Sequence, residues 1–145
     1  MSEEHSMKIP DLFDQGLATR REVLGDAYVD ASLASADAFS MDLQELVTQY
    51  CWGDVWNRPG LERAERSLIN LAMLTALNRP HELATHVRGA VNNGVTPEQI
   101  KEVLLQTAIY CGVPAALDSF RVAREVLASV NAAAATSETS QTATS

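Results

Sequence analysis

The sequence has little cysteine, little aromatic content and no long apolar run. Its two cysteines, Cys51 and Cys111, lie far apart and fit no CxxC or Cys/His spacing, so neither a disulfide framework nor a zinc site is indicated. We expect both to be reduced and packed in a helical core, because free cysteine is among the most buried residue types. No apolar segment approaches the roughly 20 residues that a membrane-spanning helix needs, which argues against a transmembrane protein.

Basic residues are also scarce. The chain has 11 lysine and arginine residues against 19 acidic ones, a formal net charge of −8. Because phosphate binding needs clustered lysine and arginine, we expect neither nucleic acid nor an anionic membrane as a partner. The N-terminus, MSEEHSMKIPDLF, carries acids where a signal peptide has a basic start and an apolar stretch. We therefore expect a cytoplasmic protein.

The period-two alternation of β-strands is missing, and the sequence reads instead as one helix after another. We predict an all-α fold, a compact bundle of about six helices that begin near residues 10, 38, 62, 80, 97 and 114. We expect the first helix to stop at Gly25, the second to span about residues 38–56 and the fourth to begin with Pro80. The fifth is expected to begin with a capping box, TPEQ, at residues 96–99. The third, with SLINLAMLTAL, is apolar nearly all round, which is typical of a central helix or a subunit contact. The second carries large apolar residues at helical spacing, namely Phe39, Leu43, Leu46, Val47 and Tyr50.

The length of 145 residues fits one domain with a real core. We predict a flexible N-terminus over residues 1–8, a single helical domain over 9–130 and a disordered tail over 131–145. The tail, NAAAATSETSQTATS, lacks the large apolar residues that would let it bury surface.

Almost all of the near-neutral acid/base capacity lies in one segment, RPHELATHVRGAVNNG. On a helix that turns about 100° per residue, Glu82 and His86 share one edge of the apolar stripe, and Arg79 points the same way. His81 and Arg88 lie nearly opposite that stripe, where a solvated face is the simpler interpretation. A histidine at the core border is partly desolvated, and a neighbouring glutamate can orient it. Glu82 and His86 are therefore the favoured catalytic pair, with a boundary ion pair as the alternative.

A second candidate group stands in YCWGDVWNRPG. This segment places Trp52, Trp56 and Arg58 at a predicted helix end, and large aromatic residues beside an arginine suit a small anionic ligand. Tryptophans at helical spacing more often belong to the core. Both uses stay open on spacing alone.

Several separate motifs resemble the carboxymuconolactone decarboxylase family. They are REVLGDAYVDASLA and the segment that runs from YCWGDVWNRPG through RPHELATHVRGAVNNG to AIYCGVPAA, and the similarity covers about residues 12–127. The resemblance implies an alkylhydroperoxidase-like fold and an enzyme without metal or cofactor. That enzyme would convert γ-carboxymuconolactone to 3-oxoadipate enol-lactone and carbon dioxide in the protocatechuate branch of the β-ketoadipate pathway. The resemblance also implies a homo-oligomer of small helical subunits, commonly a hexamer.

The family also includes alkylhydroperoxidase-like proteins with a CxxCxxxH motif. In this chain that motif falls on Arg79, Glu82 and His86. Peroxidase chemistry needs a thiolate nucleophile, so the missing cysteine pair favours the decarboxylase branch over a redox protein. A non-catalytic helical oligomer is the other alternative.

The implied reaction assigns each candidate residue a role. His86 is expected to donate a proton, or a hydrogen bond to the developing oxyanion, with Glu82 orienting it. Arg79 or Arg58 is expected to hold a substrate carboxylate, because guanidinium forms a fork of donors. The other candidates are substrate-wall residues and reserves that a neighbouring subunit would cover, namely Trp52, Trp56, His81 and Arg88.

Overall fold

A computed structural model describes residues 9–142, and these residues form helices joined by turns. Along the chain they are α1 (Pro10–Leu24), α2 (Asp26–Ala34), α3 (Met41–Leu46) with a π-helical continuation (Val47–Val55), α4 (Arg63–Ala76), α5 (Pro80–Asn92), α6 (Pro97–Tyr110) and α7 (Val113–Thr142). This part of the chain contains no strand, so the predicted all-α class is confirmed. None of its helices is long and apolar enough to cross a membrane. The N-terminus predicted to be flexible, residues 1–8, lies outside the described residues.

Helix α2 is an element that sequence reasoning missed. Gly25 was expected to end the first helix, and it does so with a φ of +89°, a conformation that glycine adopts without strain. The chain then starts a new helix at once instead of forming a loop. Only Val29 of α2 is buried, so the segment lacks the repeated apolar stripe by which a helix is recognised in a sequence.

The predicted helix over residues 38–56 changes its hydrogen-bond register partway. From Val47 it continues as a π-helix, and its last bond runs from the amide of Trp56 to the carbonyl of Cys51, 2.9 Å away. The apolar positions predicted before this change turn outward, and Phe39 is 97% exposed. The polar side chains of Thr48 and Gln49 are buried instead. A π-helix carries more than 3.6 residues per turn, so a stripe drawn with α-helical spacing drifts off the core.

The chain forms two compact units, Met1–Arg63 and Ala64–Ser145, while the single domain predicted over 9–130 stays a prediction. In the first unit, the backbones of α1 and the π-helix lie so close together that the contact requires glycine on both helices. A Cβ on Gly16 would collide with the Thr48 carbonyl oxygen, and one on Gly53 with the Leu12 carbonyl oxygen. The core beside this contact consists of Val23, Leu24, Val29, Trp52 and Trp56.

The second unit has its own core, in which α5 and α6 both pack against α7. The apolar stripe predicted for the histidine-bearing helix is the stripe that α5 buries, with Leu83, Val87 and Ala90 almost fully covered. Helix α6 begins with the predicted capping box, in which Thr96 and Gln99 bond each other's backbone amides. The main buried residues of the second unit's core are Leu71, Leu83, Val87, Ala90, Val95, Ile100, Leu104 and Ala123.

Helix α7 is longer than predicted. Residues 131–142, expected to be disordered, continue it as an exposed helix. The prediction weighed only the missing large apolar residues, but alanine has the highest intrinsic helix propensity, and four alanines follow Asn131. The last three residues, 143–145, lie outside the described part of the chain.

Candidate active site

His86 lies on α5 at the border of the second unit's core. It sits one residue before the fully buried Val87, and its own side chain is partly buried. The helix begins with Pro80 at its first position, where the missing amide hydrogen is not needed. Position 86 is thus held by a rigid helix rather than by a loop.

The turn before α5 is also tightly defined. α4 ends at Ala76, and Asn78 in the turn after it lies in the left-handed region, at a φ of +56°. The amide of Asn78 bonds the Thr75 carbonyl at 3.2 Å, and the amide of Arg79 reaches back to the Leu74 carbonyl at 3.0 Å. This pair of bonds is the Schellman arrangement, with asparagine in the place that glycine most often occupies. It sets the start of α5 relative to α4.

Asn70 on α4 contacts the His86 imidazole and was not predicted. Its Nδ2 lies 3.4 Å from Nδ1 of His86. With the amide nitrogen as donor, Nδ1 is the acceptor and the proton of the neutral ring sits on Nε2. A second bond joins the same two helix edges, from Asn93 Nδ2 to the buried Ser67 hydroxyl at 2.9 Å. No sequence spacing links residues on different helices, so only the packing of α4 on α5 reveals Asn70.

Burial lowers the pKa of His86 below its ordinary value of 6.5, and the charge of Glu82 acts in the opposite direction to a smaller extent. The imidazole is therefore neutral near pH 7. Glu82 itself is exposed, and its charge raises the pKa of His86. Asn70 makes a hydrogen-bond contact with the ring.

The other candidates of the second unit lie on the surface. His81 and Arg88 are exposed, which agrees with the solvated face predicted for them. Arg79 is exposed at the N-terminal end of α5 and borders a small cavity of about 30 Å³ that Asp118 and Ser119 also line. The structure thus brings Glu82 and His86 together at one edge and leaves His81 and Arg88 on another face.

The candidates of the first unit are two buried tryptophans and one exposed arginine. Trp52 and Trp56 are buried and stack on each other, with ring centroids 4.8 Å apart, so they form core in that unit. Arg58 is exposed, 4.0 Å from the Asp54 carboxylate. Their roles as substrate wall and carboxylate anchor stay predictions.

Arg20 is a second residue that sequence reasoning overlooked. Its side chain is 6% exposed, and its Nη1 donates to Gln44 Oε1 at 2.9 Å and to the Thr48 hydroxyl at 3.2 Å. Burial lowers the pKa of this guanidinium, while Tyr28 and Cys51 raise it. No carboxylate pairs with Arg20 within residues 9–142. In the sequence, a long arginine side chain that points inward is not distinguishable from its half-buried neighbour Arg21.

Neither cysteine forms a disulfide. Cys51 is half-buried, and burial raises the pKa of its thiol, although Trp56 and Arg20 act in the other direction. A raised pKa keeps this sulfur protonated, in the less nucleophilic form. Cys111 is exposed, so the prediction that both cysteines lie in the core is wrong for Cys111. That residue follows α6 directly, where the chain turns toward α7.

The fold and the site define an all-α protein with a desolvated histidine on a helix face. A sequence model of the carboxymuconolactone decarboxylase family matches residues 41–125, and this chain belongs to that family. It is 44% identical over 114 residues to a 4-carboxymuconolactone decarboxylase of Acinetobacter baylyi, covering 79% of this chain and 85% of the relative. It is 43% identical over 116 residues to a nitrosuccinic acid decarboxylase of Metarhizium robertsii, covering 80% and 81%.

Proposed function

We propose that this protein is a carboxy-lyase that converts γ-carboxymuconolactone to 3-oxoadipate enol-lactone and carbon dioxide. The family and both relatives support decarboxylation as the reaction type. The observation in this chain that carries the proposal is His86, a partly buried neutral imidazole held by Asn70. The place of the reaction in the protocatechuate branch of the β-ketoadipate pathway belongs to the same proposal.

The substrate's own electronic structure makes this chemistry accessible to ordinary side chains. The departing carboxylate sits on a ring carbon that is vinylogous to the lactone carbonyl. Loss of carbon dioxide sends the electron pair of the breaking C–C bond through the double bond to the carbonyl oxygen, which becomes a dienolate. A proton then adds to the ring carbon next to that carbonyl. The protein has to bind the carboxylates, stabilise the dienolate oxygen and deliver one proton.

His86 suits the second of these tasks best. Its neutral ring has the proton on Nε2, and a neutral N–H donor can stabilise a developing oxyanion without a proton transfer. Direct proton donation would instead require the imidazolium, which burial disfavours. We therefore assign His86 as oxyanion donor and Asn70 as the residue that positions it, while the charge of Glu82 raises the His86 pKa. The proton that adds to the ring carbon is then taken from solvent.

The carboxylates of the substrate need cationic partners. Arg79 and Arg58 are the proposed anchors, since each is an exposed guanidinium and guanidinium binds carboxylate through two parallel hydrogen bonds. His81 and Arg88 stay in reserve for a site that a neighbouring subunit completes.

Nitrosuccinate is the second candidate substrate, favoured by the similarity to the decarboxylase of that name. It shares two features with the lactone. One carboxylate stands on the carbon that bears the nitro group, so decarboxylation leaves a nitronate as the lactone leaves a dienolate, and a second carboxylate is available for anchoring. One oxyanion donor and one arginine anchor would serve both reactions.

Assembly into a homo-oligomer, with a hexamer as the expected form, is part of the proposal, and so is a cytoplasmic location. Assembly is supported by the apolar surface that a single copy leaves uncovered. That surface includes Phe39 and Leu43 before the π-helix and Ile109 and Tyr110 on α6. Exposed apolar patches of this kind are typical of subunit contacts. Light scattering at micromolar concentration tests the assembly, and a stable monomer would contradict it.

The proposed activity is tested by giving the purified protein γ-carboxymuconolactone and nitrosuccinate in parallel. Carbon dioxide release and the remaining substrate are followed, and kcat/KM is compared. We expect the lactone to have the higher value and to yield the enol-lactone. A higher value for nitrosuccinate would replace the proposed substrate, and no turnover of either at high enzyme concentration would overturn the proposal. A variant with both Cys51→Ser and Cys111→Ser is expected to keep full activity, since the chemistry requires no thiol.

A further inference from the structure

A groove of about 350 Å³ lies between α6 and α7 in the second unit. Its walls include Ile100 and Leu104 from α6 and Phe120 and Leu127 from α7. Ile100 and Leu104 are almost completely buried, so the floor of the groove is continuous with the core. The volume falls in the range of about 300–1,000 Å³ that small-molecule sites occupy.

Two cationic side chains, Lys101 and Arg124, line the same groove. The ammonium of Lys101 forms an ion pair with Glu98, so its charge is largely offset. Arg124, by contrast, makes no hydrogen bond or ion pair with any residue in 9–142. One turn earlier on the same helix, Arg121 bonds Asp118 at 2.9 Å. The groove thus combines an apolar floor with one guanidinium that has all its donors available.

We propose that this groove binds a small aromatic carboxylate, with the ring against Phe120 and the carboxylate on Arg124. The charge of Arg124 selects an anion, and its planar fork of donors matches a carboxylate. The apolar floor favours a ligand with an aromatic ring over a small inorganic anion, because only the ring buries apolar surface there. The chain has a net charge of −8, so the Arg124 guanidinium over apolar surface is a local positive charge with which an anion can pair.

The proposed site is separate from the candidate active site in its residues. His86 and Asn70 belong to α5 and α4 and do not line the groove, which is built by residues 97–131. The proposal therefore does not depend on the function proposed above. A ligand here would bind whether or not the protein decarboxylates the lactone.

Calorimetric titration with 2-naphthoate tests the proposal, with neutral 2-naphthamide as the matched ligand. We expect saturable binding of naphthoate and at least about tenfold weaker binding of naphthamide, because a charge-assisted hydrogen bond is lost. Arg124→Gln should weaken naphthoate binding to a similar extent. Arg121→Gln is the matched control and should leave it unchanged, since that guanidinium is already paired with Asp118.

Several results would overturn the proposal. Absence of saturable binding at millimolar naphthoate would do so, as would equal binding of naphthamide or of naphthoate to Arg124→Gln. Loss of binding in His86→Ala would place the ligand in the catalytic site instead. A changed molar mass of Arg124→Gln in light scattering would show that a second copy of the chain covers the groove.

Discussion

Each unit holds a basic side chain away from solvent, fully for Arg20 in the first unit and partly for His86 in the second, and the two are accommodated in different ways. In the first unit, Arg20 keeps its charge, since guanidinium does not deprotonate in proteins, and neutral oxygens of Gln44 and Thr48 solvate it. In the second unit, burial lowers the pKa of His86, so the histidine gives up its charge instead. A permanent charge needs a fixed set of acceptors and acts as structure. A group that can lose its proton can change protonation state, and a catalytic reaction can use that change.

The helices inside each unit also differ in how closely their backbones pack. In the first unit, α1 and the π-helix contact each other at Gly16 and Gly53, where an added Cβ would collide with backbone. In the second unit, a Cβ added at Gly94 would meet nothing within 4 Å. In the second unit, hydrogen bonds such as the one between Asn70 and His86 add to a core of apolar side chains.

The largest effect is expected for Gly16→Ala. The added methyl group would collide with the Thr48 carbonyl and force α1 away from the π-helix, which should lower the free energy of unfolding by about 3 kcal/mol or more. Gly94→Ala is the matched control in the second unit. There φ is +83° with nothing near the Cβ, so only backbone strain of about 1 kcal/mol is expected. Chemical denaturation measures both variants, and equal losses would remove this contrast between the units.

The next effect concerns catalysis. If His86 is the oxyanion donor, His86→Ala should reduce kcat by about 10²-fold or more, while the fold survives because the residue lies at the border of the core. His81→Ala should change KM at most, since His81 is exposed. Steady-state kinetics at matched oligomeric state compares the two. A crippled His81→Ala beside a normal His86→Ala would move the site to the opposite face of α5.

Arg20→Met should destabilise the protein without altering chemistry. The variant keeps much of the side-chain volume and leaves the Gln44 and Thr48 oxygens without their donor, at a cost of about 1–3 kcal/mol. Arg21→Met, which removes exposed pairs with Asp26 and Asp30, should cost less than about 1 kcal/mol. Thermal unfolding ranks the two, and kcat per folded molecule should equal the wild-type value in both. A lowered kcat in Arg20→Met alone would show that Arg20 also serves the reaction.

The limits of sequence reasoning follow the same division between the units. In the second unit, α-helical periodicity, a capping box and Pro80 marked the helices, and the edge position of His86 followed from spacing. In the first unit, Phe39 was placed on an apolar stripe because the helix was predicted to begin at residue 38, whereas α3 begins at Met41 and Phe39 lies in the turn before it. From Val47 the change to π-helical bonding also broke the assumed period. Asn70 and Arg20 were out of reach for another reason. Their importance comes from contacts between helices, which spacing along one helix does not encode.

A smaller effect is expected in the pH dependence of stability. Folded His86 has a pKa below 6.5, so between the lowered value and 6.5 the unfolded chain binds more protons than the folded one. The free energy of unfolding therefore falls as the pH drops through this window, and above it the contribution is constant. Chemical denaturation from pH 7.5 to 5 measures the slope. His86→Gln should have a flatter profile than wild type, and identical profiles would show that His86 is not desolvated in the folded protein.

The smallest effect is expected for Glu82→Gln, and it separates the two possible roles of His86. The Glu82 carboxylate favours the imidazolium, so its removal should lower the pKa of His86 further. If the neutral ring is active as an oxyanion donor, activity is lost on the acid side, and Glu82→Gln moves that limb of the profile to lower pH. If the imidazolium is active as a proton donor, activity is lost on the alkaline side, and the same variant becomes slower at pH 7. Glu98→Gln, in the equivalent first turn of α6, controls for the general loss of a negative charge. A pH profile of kcat for the three proteins decides between the roles, and an unchanged profile in Glu82→Gln would remove Glu82 from the site.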